Sequence, residues 1–151
     1  MSTSKILKLI KEKEIEYVDL RFTDPKGKLQ HVTMDKTIVD ESMLNDGIFF
    51  DGSSIAGWKA INESDMILKP DISREVIDPF TSHNTLILFC DVLDAVKKTP
   101  YERDPRSTAK KAENYLKKSG IGDKAFFGPE AEFFVFDDVK FKNDKIGRAH
   151  V

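Results

Sequence analysis

A strict alternation of side chains near the N-terminus limits what this chain can fold into. From Ile15 to Phe22, Val18, Leu20 and Phe22 fall on one side and Tyr17, Asp19 and Arg21 on the other, which is the period of a strand. Asp24-Pro25-Lys26-Gly27 follows, with proline where a type I turn wants a fixed φ and glycine where the chain leaves the turn. A second alternating run, Leu29 to Met34, completes a β-hairpin. Ahead of it, Ile6, Leu7, Leu9 and Ile10 share a helical stripe, with Ser4 as the expected cap and Lys11, Glu12 and Lys13 facing water.

Later segments extend the same alternation of helix and strand. Asp40 to Asn45 reads as one or two helical turns ended near Gly47. Asp51 to Trp58, with two glycines and three small polar residues, reads as a loop carrying one large aromatic. Asp65 to Lys69 is expected to be a short strand stopped by Pro70, and Thr85 to Leu93 a more deeply buried one. After the irregular stretch Lys97 to Arg103, Asp104-Pro105 supplies an N-cap and a first-position proline. That helix is expected to run to Ser119, with Ala109, Ala112, Tyr115 and Leu116 as its apolar face and Gly120 as its stop. The run Ala125 to Phe136 is strongly β-prone.

The 151 residues suit one ordinary domain, or a small domain plus part of another. Eleven of the fifteen aromatics are Phe, too much packing material for a disordered chain. A net charge of −2 leaves no basic surplus for phosphates, so nucleic acid and anionic membrane are not expected partners. Cys90 stands alone, which excludes an intrachain disulfide or a thiolate cage within one chain and fits a reducing cytoplasm. The longest apolar run, Leu86 to Cys90, is far short of a membrane span, and the N-terminus lacks the apolar core of a signal peptide.

Two places carry chemistry. On a strand, Glu130 and Glu132 leave the same face about 6.7 Å apart, among phenylalanines, where unbalanced charge is expensive. A basic partner, a raised pKa or divalent cations would neutralise them, and the spacing suits two neighbouring Mg²⁺ or Mn²⁺ ions. An edge strand with two solvated glutamates is the competing reading. In the loop, glycine and serine permit an exposed backbone that lets Asp51 reach away from its own domain, against an ordinary Asx turn before a locally packed tryptophan. His31, His83, Cys90, Ser53 and Ser54 have no motif partner at a catalytic or ligating spacing.

The segments Phe50-Asp51-Gly52-Ser53-Ser54-Ile55-Ala56-Gly57-Trp58, Asn62-Glu63-Ser64-Asp65-Met66 and Phe127-Gly128-Pro129-Glu130-Ala131-Glu132-Phe133-Phe134 resemble the N-terminal signatures of bacterial type I glutamine synthetase. The resemblance runs from about Ile6 to about Asp138 and includes Val18 to Asp24 and Asp104-Pro105-Arg106-Ser107; Ala56 and Ala131 replace a common glycine and proline. It implies an α+β chain: a β-grasp domain over residues 1–100, the first helix and strand of an incomplete catalytic domain over 101–145, and a non-native tail at 146–151 that matches a frame translation of a sequencing adapter. It also implies ATP-dependent ligation of glutamate and ammonia through γ-glutamyl phosphate, or, alternatively, a γ-glutamyl-amine ligase; a stand-alone β-grasp interaction module is the non-catalytic alternative. Two Mg²⁺ or Mn²⁺ sites are implied, with Glu132 resembling a ligand of the ion nearer glutamate and ammonia and Glu130 a ligand of the ion nearer the nucleotide. Asp51 resembles the residue that binds ammonium and removes its proton, and Ser54 and Trp58 belong to the same loop. In the family that loop completes the neighbouring subunit's site, within a dodecamer of two hexameric rings. The fragment alone is expected to be inactive.

Overall fold

The alternating residues form the expected hairpin: β1 (Tyr17–Thr23) pairs antiparallel with β2 (Leu29–Asp35), Leu20 facing Val32. Asp24 closes the turn by accepting the N–H groups of Lys26 and Lys28, each at 2.9 Å, and Gly27 leaves it at φ +84°. The structure is a computed structural model and describes residues 2–59 and 64–141. The expected tail at 146–151 and the Asn62-Glu63 part of one motif lie outside the described residues.

Three further strands complete the sheet: β3 (Ile48–Asp51), β4 (Asp65–Ile77) and β5 (Thr85–Asp94), in the order β2-β1-β5-β4-β3. β5 runs parallel to β1, and the other pairs are antiparallel. One face carries Val18, Leu20, Phe22, Leu86, Leu88, Cys90 and Val92 into a continuous core, so the deep burial expected of β5 is observed. Two helices cover that face, α1 (Thr3–Glu12) through Ile6 and Ile10 and α2 (Glu41–Asp46) through Met43 and Leu44. α+β and β-grasp therefore describe the arrangement.

Four expectations need correction. Ser2, not Ser4, stands at the N-cap of α1 and makes no side-chain bond there. β4 continues through Pro70: its register against β5 shifts between Pro70 and Glu75, and an irregularity is where a residue without an N–H fits a sheet. A third helix, α3 (Pro105–Ser119), has the expected Asp104 cap and left-handed Gly120, yet Ala109, Ala112 and Tyr115 are exposed and Leu116 only half-buried. Its attachment is polar and confined to its start, where Arg106 bonds Asp71 and Asp91, and Lys110 bonds Asp91. Finally, Ala125 to Phe136 forms no strand. Strand geometry is held by ladder bonds to a neighbour, and this segment pairs with none of β1–β5, so Phe126, Phe127, Phe133 and Phe134 remain exposed.

Gly47 ends α2 at φ +84° and ψ −171°, a region open essentially to glycine, and a Cβ there would run into the Leu68 carbonyl of β4. Gly47→Ala is therefore expected to cost about 1–3 kcal/mol and to lower the thermal midpoint followed by circular dichroism; an unchanged midpoint would contradict this packing.

Candidate active-site loop and carboxylate pair

Asp51 is the last residue of edge strand β3, opposite Asp65 of β4, and its side chain is exposed. Its Oδ1 accepts the Ser53 hydroxyl at 2.6 Å and the Ser53 N–H at 2.8 Å, opening a 3-10 turn over Gly52–Ser54. The segment is thus a built Asx turn on a strand end rather than an irregular loop. Gly52 is required by close approach: its N–H bonds the Ser64 carbonyl at 2.7 Å, and a Cβ would overlap the buried Met66 thioether. Ser54 is exposed beside Asp51, whereas Ile55 and Trp58 point into the core. Apolar anchors on one side and exposed polar groups on the other give the turn a defined outward face.

Hydrogen bonds from the Ser53 hydroxyl, then from its N–H, hold the Asp51 carboxyl below the ordinary carboxylate range, against a smaller opposing effect of desolvation. Asp51 is therefore an anion at neutral pH, able to attract a cation.

Trp58 fixes the far end of the loop. Its ring stacks on Phe22 of β1 at 5.6 Å between centroids and meets Phe50 of β3 and Tyr101 edge-on. The indole N–H has no acceptor among the described residues, so ring packing and the backbone, rather than a side-chain bond, locate this residue.

Glu130 and Glu132 are not brought to this loop. Both are exposed on the unpaired chain after α3, so the shared strand face expected for them is not formed. Their oxygen donors suit a hard divalent cation, but among the described residues no three His, Cys, Asp or Glu side chains converge on one point. Among the described residues the pair therefore builds no cation cage by itself.

Sequence spacing missed one polar cluster that strand register creates. His31 lies opposite Arg21 on the outer sheet face, which brings its Nδ1 within 2.8 Å of Asp19, while the Thr33 hydroxyl and Arg21 Nε donate to the same carboxylate. Burial alone would raise the Asp19 pKa; the bonds from Arg21, His31 and Thr33 outweigh it and hold the carboxyl low. His83 likewise meets Glu16 at 3.1 Å. Cys90 is buried and burial pushes its thiol well up, which makes it a core residue rather than a nucleophile.

A mixed five-stranded sheet with helices on one face and an exposed acidic turn at its edge defines a β-grasp domain carrying a polar surface site. The family model "Glutamine synthetase, beta-Grasp domain" matches residues 14–95, more than half the chain, and "Glutamine synthetase, catalytic domain" matches residues 102–150. The chain belongs to the glutamine synthetase family. It is 65% identical over 143 residues to a glutamine synthetase of Rhizobium meliloti (strain 1021), covering 95% of this chain and 30% of that one. A glutamine synthetase of Azorhizobium caulinodans is 62% identical over 145 residues, covering 95% and 31%. The chain thus spans less than a third of the length of these curated relatives. In fold it resembles Plasmodium falciparum glutamine synthetase solved by cryo-electron microscopy, with a TM-score of 0.72 at 24% identity over 80% of this chain and 23% of that one. A structure of GmaS without ligand gives a TM-score of 0.67 at 20% identity over 76% and 26%.

Ser53→Ala removes the strongest contribution to the low Asp51 pKa. A carboxyl carbon NMR titration is expected to show the Asp51 midpoint rising toward the ordinary carboxylate value, with the anion lost at higher pH than in the unaltered chain. An unmoved midpoint would show that the Ser53 hydroxyl does not hold the charge.

Proposed function

We propose that this chain forms the N-terminal part of a cytoplasmic ligase that joins glutamate and ammonia at the expense of ATP. The observation that carries this reading is the exposed Asp51 carboxylate, held ionised at a strand end in a chain that matches both glutamine synthetase family models.

In the first step a γ-carboxylate oxygen of glutamate attacks the terminal phosphorus of ATP, the bond to the bridging oxygen breaks, and ADP leaves. Ammonia then adds to the carbonyl carbon of γ-glutamyl phosphate, the C–O bond to phosphate breaks, and inorganic phosphate departs with that bond's electrons and the proton shed by the new amide nitrogen. Asp51 attracts ammonium and takes its proton, freeing the nitrogen lone pair for attack. Ser54 lines the same ammonium-binding loop. Bound Mg²⁺ or Mn²⁺ would offset charge on the transferring phosphoryl oxygens. Glu132 would hold the cation nearer glutamate and ammonia, and Glu130 the one nearer the nucleotide. The loop serves a neighbouring subunit, in a homo-oligomer expected to be a dodecamer of two hexameric rings. The domain division at residues 1–100 and 101–145 follows the same reading: the sheet presents the loop, and the chain from α3 onward carries the metal-binding carboxylates.

The test uses the full-length enzyme that contains this chain. Asp51→Asn keeps an acceptor for Ser53 but loses the base, so turnover is expected to fall roughly 10²- to 10⁴-fold while the thermal midpoint holds. Unchanged turnover would leave Asp51 as a turn residue. Glu132→Ala and Glu130→Ala are each expected to weaken one Mn²⁺ site by at least about 10- to 100-fold, since loss of a residue that merely supports a ligand commonly costs that much. Unchanged Mn²⁺ titrations in both would leave them as solvated carboxylates.

A further inference from the structure

The chain between β5 and α3 passes behind the Asp51 loop and grips it. The Gly57 carbonyl accepts from Arg103 at 3.0 Å, and the Trp58 carbonyl accepts from the Tyr101 hydroxyl at 2.9 Å. Lys59 bonds Asp94 at 3.3 Å and lies 5.6 Å from the centre of the Tyr101 ring. Three consecutive loop residues are therefore attached to one strap, residues 94–103.

Beyond Asp94 the strap forms no helix or strand, as its composition suggests, yet backbone bonds tie it down. The Asp94 N–H bonds the Thr99 carbonyl at 2.9 Å, and the Tyr101 N–H bonds the Val92 carbonyl of β5 at 2.9 Å. The Asp104 N–H bonds the Tyr101 carbonyl at 3.2 Å, at the point where Asp104 caps α3. Tyr101 is buried against Trp58, where ring packing alone would be served by phenylalanine. A buried hydroxyl needs a partner, and the one it has is a carbonyl of the loop.

Resting on the reading of Asp51 given above, we propose that Tyr101 and Arg103 are positioning residues for the ammonium-binding loop: they hold its Gly57 and Trp58 carbonyls and so set where Asp51 and Ser54 stand. Neither touches substrate. Their effect travels through the short segment from Trp58 to Asp51, in which the Trp58 N–H bonds the Ile55 carbonyl and the Ile55 N–H bonds the Gly52 carbonyl, each at 3.2 Å.

Tyr101→Phe keeps the ring, and Arg103→Gln changes an exposed residue, so both variants and their double are expected to fold. Amide hydrogen exchange in the 151-residue chain reads the grip directly. The Ile55 and Trp58 amides are expected to exchange about 5-fold faster for each bond lost, while the Leu20 and Leu88 amides of the sheet keep their rates. In the full-length enzyme the double variant is expected to lower kcat/KM for ammonium about 10-fold, with the KM values for glutamate and ATP unchanged. Unaltered exchange at Ile55 and Trp58 would overturn the grip. Faster exchange with unaltered ammonium kinetics, in an enzyme that Asp51→Asn impairs, would overturn the positioning role alone. If Asp51→Asn retains full turnover, the reading of the loop falls and this proposal falls with it.

Discussion

Burial of Trp58 joins the parts of the molecule that the candidate site depends on. Its ring lies against Phe22 of β1, Phe50 of β3 and Tyr101 of the strap, so one side chain ties two strands, the loop and the approach to α3 together. Removing a buried ring of this size typically costs about 3–5 kcal/mol. A single hydrogen bond contributes about 1 kcal/mol net, and those of the exposed Asp51 turn are screened further by water. The loop is therefore located mainly by what it buries at its far end, and its turn chemistry sets the orientation of Asp51 within that frame.

A second attachment is electrostatic. Arg106 bridges Asp71 of β4 and Asp91 of β5, and Lys110 adds to Asp91, giving two cations for two carboxylates at the start of α3. These side chains are between a quarter and a half exposed, where a salt bridge is worth little, so the cluster orients α3 more than it stabilises the fold. Together with the strap it gives the chain leading to Glu130 and Glu132 a fixed departure from the sheet. The apolar side of α3 and the phenylalanines beyond it remain uncovered, and the two carboxylates have no preset geometry among the described residues.

Local signals in the sequence were legible because local physics decides them. The Asp24 turn, the Asp104 cap and the stops at Gly47 and Gly120 each concern a few neighbouring residues, and all occur as the sequence implies. Ser4 failed because helix phase alone does not choose between nearby serines. Pro70 failed because a register shift just after it, invisible in composition, lets the strand continue. Asp19 with His31, and Tyr101 with Trp58, depend on register and on contacts across 12 and 43 residues, which spacing does not reveal. At the site, the exposure of Asp51 was legible from its small polar neighbours, whereas its grip from behind was not. The strand expected at Glu130 and Glu132 failed because β-propensity describes what a segment does once a partner lies alongside it.

On the function proposed above, this domain builds its acidic loop for use by another subunit. The most direct measurement is activity of a mixed oligomer, purified so that each particle contains both full-length subunits, one with Asp51→Asn and the other with Glu132→Ala. On that proposal, each variant by itself lacks one half of every site. In the mixture, the loop of the second subunit can meet the intact carboxylates of the first, and the expected result is partial recovery of glutamine formation well above either parent. Activity that stays at the level of the separate variants, in particles shown to contain both subunits, would contradict the claim and confine Asp51 to its own chain.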